Sequence, residues 1–65
     1  MTTKFVIFNP SNQGYWAGHS YNEFKGLLYA KMYNELEEAK SEIEHILVHP
    51  YFSNLKLEIK NFYCN

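Results

Sequence analysis

The sequence predicts a small α+β fold, a mainly antiparallel sheet of three to four strands with one helix packed on one face, in the order β-β-β-α-β. Two observations predict it. Residues Asn34 to His49 carry the only clear helical period in the chain. The segments on either side of them are short apolar or alternating runs bounded by turn residues, the pattern of strands. With 65 residues the chain has room for one domain, residues 1–65, and no linker or repeat divides it.

The helix is the element that must roof the core. Leu36, Ala39, Ile43, Ile46 and Leu47 recur at i, i+3, i+4 and i+7 and form one apolar stripe. Glu38, Ser41, Glu42 and His45 are expected on the solvent side. Asn34 is the expected N-cap, with Glu37 three residues on as its capping-box partner. Glu35, Glu37 and Glu38 suit the positive end of the helix dipole, and His45 and His49 the negative end. Pro50 disfavours helical backbone at His49 and ends the helix there. Such a helix is roughly 20 Å long, the length of a six- or seven-residue strand.

Lys4 to Phe8 reads as a strand with apolar residues on both sides, Phe5 and Ile7 on one and Val6 and Phe8 on the other. Asn9 to Gly14 is turn chemistry, and Tyr15 to Ala17 returns as a short second strand. Gly18 to Gly26 shows no period and reads as a loop. Leu27 to Tyr33 alternates, placing Leu28, Ala30 and Met32 inward and Tyr29, Lys31 and Tyr33 outward. A helix over Glu23 to Tyr33 competes with that strand, but running it through Asn34 would waste the cap. Leu55 to Tyr63 is the last strand, with Leu55, Leu57 and Ile59 facing in. The link from the third strand through the helix to the last reads as a right-handed crossover.

Composition excludes several function classes. All six cations are Lys and all seven anions are Glu, for a net charge of −1. Arg is the side chain best shaped to grip phosphate and guanine, so its absence makes nucleic acid an unlikely partner. The apolar run near the N-terminus spans only Phe5 to Phe8, too short for a signal peptide, and no stretch approaches the roughly 20 apolar residues of a membrane span. A cytoplasmic protein without membrane contact is expected. Cys64 is the single cysteine, so no internal disulfide can form.

No pattern of catalytic residues emerges, and the protein is expected not to be an enzyme. Gly14, Gly18 and Gly26 lack the helix start and Lys-Ser/Thr of a phosphate loop, and no serine sits in a Gly-x-Ser-x-Gly elbow. His45 and His49 have the i, i+4 spacing of a helical zinc pair. His45 points away from the apolar stripe and no fourth ligand is suitably spaced, so no metal and no cofactor are expected. What stands out is the aromatic excess of six Tyr, five Phe and one Trp, residues that combine large area with, in Tyr and Trp, a polar tip. One helix cannot cover both faces of the sheet. The expected binding residues are Tyr15, Trp16, Tyr29, Lys31 and Tyr33, with Tyr29 and Tyr33 beside the uncovered face, together with Tyr21 on the loop and Glu38 and Glu42 on the acidic helix side. Aromatics on an open sheet could also stack single-stranded nucleic acid, the alternative reading.

Lys-Phe-Val-Ile-Phe-Asn at 4–9, Gly14-Tyr15-Trp16, Ala30-Lys-Met-Tyr33 and Leu36-Glu-Glu-Ala39 together resemble small early-region proteins of tailed bacteriophages. The resemblance spans residues 4–47. It implies a non-catalytic inhibitor that occupies a surface of a host or defence protein in the bacterial cytoplasm. A homo-oligomer paired through the open sheet face is also expected.

Overall fold

A computed structural model describes residues 2–64, with side chains through residue 63. It is an α+β fold: strands β1 (Thr2–Asn9), β2 (Gly14–Trp16) and β3 (Phe24–Lys25), one 3₁₀ turn (Leu27–Tyr29), helix α1 (Leu36–Val48) and strand β4 (Glu58–Cys64). The four strands form one antiparallel sheet in the order β3-β2-β1-β4. β1 is central and pairs with β4 along seven positions, from Thr2 opposite Cys64 to Phe8 opposite Glu58. β3 and β4 run in opposite directions at the two sheet edges, so the handedness preference for parallel crossovers does not apply to the link between them.

The β1–β2 turn is made by its own side chains. Asn9 Oδ1 accepts the Ser11 amide at 3.0 Å and Asn12 Oδ1 accepts the Gly14 amide at 2.9 Å. A Cβ at Gly14 would lie 2.9 Å from both Asn12 Oδ1 and the Cβ of Phe24, so only glycine lets β3 approach. Gly18 opens the next reversal with φ +95°, a backbone that L side chains rarely adopt.

That reversal holds the main correction to the sequence reading. Residues Gly18 to Gly26 are not all loop: the chain turns over Gly18–Asn22 and comes back as β3 against β2. The predicted third strand, Leu27 to Tyr33, is instead a 3₁₀ turn followed by extended chain with a single bridge, Tyr33 to Phe5. The outer edge of β2 is already taken by Phe24 and Lys25. The inner edge of β1 beyond β2 has space for one bridge, made by two hydrogen bonds of 2.8 Å between Phe5 and Tyr33. The predicted phase also fails at Leu28, Met32 and Tyr33, while Tyr29 and Lys31 are exposed as expected. Leu28 is 97% exposed and Met32 is exposed, whereas Tyr33 is buried.

The core lies between α1 and one face of the sheet. Ile7, Trp16, Tyr33, Ala39 and Ile46 are buried together, with Phe5, Phe24, Ile43, Phe52, Leu57 and Ile59 packed around them. Trp16, Phe24 and Phe52 meet at ring separations of 5.2 to 5.8 Å and tilted or edge-on angles, the favourable aromatic geometry. Phe5 and Ile7 therefore face the helix, and Val6 and Phe8 face away from it.

The helix starts one residue later than predicted. Glu35 is its N-cap, and Glu38 Oε1 accepts the Glu35 amide at 3.1 Å. Asn34 instead accepts a hydrogen bond from the Lys4 ammonium. His49 closes the C-terminus ahead of Pro50. Of the predicted stripe, Ala39 and Ile46 are buried, Ile43 and Leu47 are half-buried and Leu36 is exposed.

Ile46→Ala is expected to cost about 2–5 kcal/mol, the range for emptying a buried aliphatic site, and half-buried Ile43→Ala clearly less. Denaturant melts of both variants check it, and an Ile43 loss equal to that of Ile46 would contradict this packing.

Candidate functional site

The segment 31–34 runs beside the first half of α1 and leaves an open groove of about 590 Å³ between them. Lys31, Met32, Tyr33 and Asn34 line one wall, and Glu37, Glu38, Ser41, Glu42 and His45 line the other. Four residues expected at a binding surface, Lys31, Tyr33, Glu38 and Glu42, thus come together. Three carboxylates against one ammonium make the groove acidic.

Glu42 is the organised group in it. It was expected on the solvent side, but it sits three residues after Ala39 and four before Ile46, on the edge of the buried stripe. Its side chain is 11% exposed. Tyr33 donates its hydroxyl to Oε2 at 2.6 Å, and His19 Nε2 lies 2.9 Å from Oε1. Burial alone would raise the Glu42 pKa. The hydrogen bonds from Tyr33 and His19, with the charge of His19, outweigh it and hold the carboxyl below its ordinary value. The Tyr33 phenol is pushed up by burial and by its bond to the carboxylate, so it stays protonated and donating. The buried Trp16 Nε1–H lies near both and favours their charged forms, yet closes no hydrogen bond of normal geometry.

His19 escapes sequence reasoning. It lies 23 residues from Glu42, in a loop without period, and only the β2–β3 turn brings it over the helix, edge-on to Trp16 at 5.5 Å.

The other expected residues sit elsewhere. Trp16 and Tyr33 are core side chains and offer no open-face contact. Tyr15 lies on the face away from the helix, half-buried against Phe8 with ring centres 5.0 Å apart. Val6 on that face is 1% exposed, and the Lys60 ammonium lies 4.0 Å from the Phe8 ring, so the face is partly sealed by its own side chains. Exposed large apolar side chains occur at Val48 and Tyr51 past the helix end, at Tyr63 on β4, and in a longer group on the segment from Tyr21 to Met32. Tyr21, Leu27, Leu28, Tyr29 and Met32 are all exposed there. Lys25 lies 4.7 Å from the Tyr21 ring and 5.1 Å from the Tyr29 ring, a double cation–π contact that joins the loop to the 3₁₀ turn.

His49 accepts the Tyr51 amide on Nδ1 at 3.3 Å and stacks on the Tyr51 ring, while His45 lines the groove. Among the described residues no three His, Cys, Asp or Glu side chains are grouped to hold a metal, and no helix is long and apolar enough to cross a membrane. The Cys64 thiol lies outside what the structure describes.

No protein-family model, curated protein or solved structure matches this chain.

Glu42 supports the fold more strongly ionised than protonated. Its stabilising contribution is fully present above its ordinary pKa of 4.5 and is lost as the pH falls through the lower folded value. Glu42→Gln is expected to cost about 1–3 kcal/mol at pH 7, with the gap to wild type narrowing below pH 4.5. Denaturant melts across pH 3 to 7 check it, and a gap independent of pH would show that the charge is not what matters.

Proposed function

We propose that this chain is a non-catalytic binding protein that occupies a surface of a partner protein. The exposed knuckle Leu27–Tyr29 and the acidic groove beside it make the contact. The observation that carries this is Leu28: a leucine 97% exposed at the tip of a hydrogen-bonded turn, flanked by exposed Leu27 and Tyr29. Scattered apolar residues are ordinary on a protein surface, but a run of this kind held out by a defined turn marks a contact site. Just beyond Ala30 begins the groove, where Glu37 is paired with Lys40 at 3.7 Å and Glu38 and Glu42 each accept hydrogen bonds, so what suits a cationic element is the net negative charge left over and not a free carboxylate. The fitting partner is a protein that presents an apolar pocket next to Lys or Arg. The resemblance to phage early-region proteins makes a bacterial host or defence protein the expected source of that partner, met in the cytoplasm. The contact surface moves from the sheet face to the loop and groove, because Trp16 and Tyr33 are buried.

Single-stranded nucleic acid is the second reading, and one observation favours it. Lys4, Lys25 and Lys60 share the face away from the helix with Phe8 and Tyr15. Lys25 is paired with Glu23 at 3.2 Å, and Glu58 lies on the same face, so the positive field there is weak.

Affinity capture from bacterial lysate with wild type, Leu28→Asp and Glu38→Lys tests the proposal. Wild type is expected to retain a protein that Leu28→Asp loses at least tenfold and that Glu38→Lys holds less well, with circular dichroism unchanged for Leu28→Asp and a melt showing that Glu38→Lys, which loses its capping bond, is still folded. A wild type that retains nothing, or a captured protein that both variants keep, overturns it. Fluorescence anisotropy with a labelled single-stranded oligonucleotide separates the second reading: saturable binding lost with Lys60→Glu but kept by Leu28→Asp would establish it instead.

A further inference from the structure

We infer that β4 is a dimer interface, on which a second copy of this chain docks its own β4 antiparallel, centred on Ile59.

The two edges of the sheet are unlike. β3 is two residues long and offers almost nothing to pair with. β4 is seven residues long, is bonded to β1 on one side only, and among the described residues no strand takes its outer side. An uncovered edge of that length presents a row of free amides and carbonyls. α1 packs on β1, while Leu57 and Ile59, which project toward the helix side, remain half-buried.

Side-chain order along β4 gives one register two opposite-charge pairs between copies. In an antiparallel two-fold pair, residues equally spaced on either side of the central one face each other. Centring on Ile59 sets Glu58 of each copy directly opposite Lys60 of the other, two opposite-charge pairs of the kind that stabilise antiparallel strands. Centring on Glu58 would oppose Glu58 to itself, and centring on Lys60 would oppose Lys60 to itself. Both side chains are exposed, and neither makes an ion pair among the described residues. The Ile59 register also brings the two Ile59 side chains together on the helix side, with Leu57 of each copy opposite Asn61 of the other. The sheet then runs continuously through eight strands with both helices on one face, and the half-covered ends of the two cores meet.

Sedimentation velocity tests this with wild type, Glu58→Lys and the exchanged pair Glu58→Lys/Lys60→Glu. Wild type is expected to sediment as a dimer of the 7.8 kDa chain in the tens to hundreds of micromolar range. Glu58→Lys, which sets lysine against lysine twice, should weaken the dimer at least about tenfold, and the exchanged pair should restore it by reversing both signs. A monomeric wild type, a dimer indifferent to Glu58→Lys, or an exchanged pair as weak as the single variant overturns the inference. Where circular dichroism shows a variant misfolded, hydrogen exchange on wild type decides. Outward β4 amides that gain protection with protein concentration support the interface, and exchange independent of concentration overturns it.

Discussion

Tyr33 is the residue through which sheet and helix are fastened to each other. Its backbone closes two 2.8 Å hydrogen bonds on Phe5, which ties residues 31–33 to the free stretch of β1. Its ring fills the core beside Ile7 and Trp16. Its hydroxyl reaches Glu42 on α1 at 2.6 Å. Lys31 extends the same attachment to β2 through its amide on the Trp16 carbonyl at 2.9 Å. A domain of this size has little margin, and burying a carboxylate is tolerable only when donors surround it. Tyr33 and His19 are those donors, so the groove's most negative wall is also a structural joint.

That joint accounts for the shape of the surface. Because the chain must leave β2, return as β3 and still deliver Tyr33 to Phe5, residues 26–30 have to bridge the end of the sheet without a strand partner. They do so with the 3₁₀ turn, whose Tyr29 and Ala30 amides bond back to Gly26 and Leu27 at 3.0 and 3.1 Å. Such a turn has no inner face of its own, which leaves Leu27, Leu28 and Tyr29 in water. The exposed knuckle is thus a consequence of how the sheet is closed, and its apolar composition is the part that geometry does not require.

Much of this was legible in the sequence. The α+β layout, the turn chemistry of Asn9 to Gly14, the central two-sided strand and the helix stop at Pro50 all follow from local signals that the fold obeys. The third strand was not. Leu28, Ala30 and Met32 alternate as a buried strand face should, but periodicity reports a pattern and not whether a neighbouring strand exists to receive it. Two residues, Phe24 and Lys25, had already taken the edge, and no propensity rule recognises a strand that short. The site was legible in part for a similar reason. Lys31, Glu38 and Glu42 do share the groove, whereas Trp16 and Tyr33 face the helix: the pairing of Tyr15 with Phe8 turns Trp16 inward, and the bridge to Phe5 turns Tyr33 inward. Glu42 looked solvated because a helical stripe read from hydrophobicity has no way to register a carboxylate capped by a tyrosine and a histidine from distant segments.

The two surfaces on which function is proposed lie at opposite ends of the sheet order. The knuckle and the 31–34 wall belong to the β2–β3 end, and β4 closes the other. A copy joined at β4 therefore leaves the knuckle of each chain free and turned outward. Two identical contact sites on one rigid sheet would engage a partner that is itself two-fold, or one that displays repeated sites. The second contact then forms at the effective concentration set by the first. For a domain whose acidic groove is open and whose knuckle is only three residues long, that gain matters. Duplicated contacts on a fixed spacing hold a partner more tightly than either contact would alone.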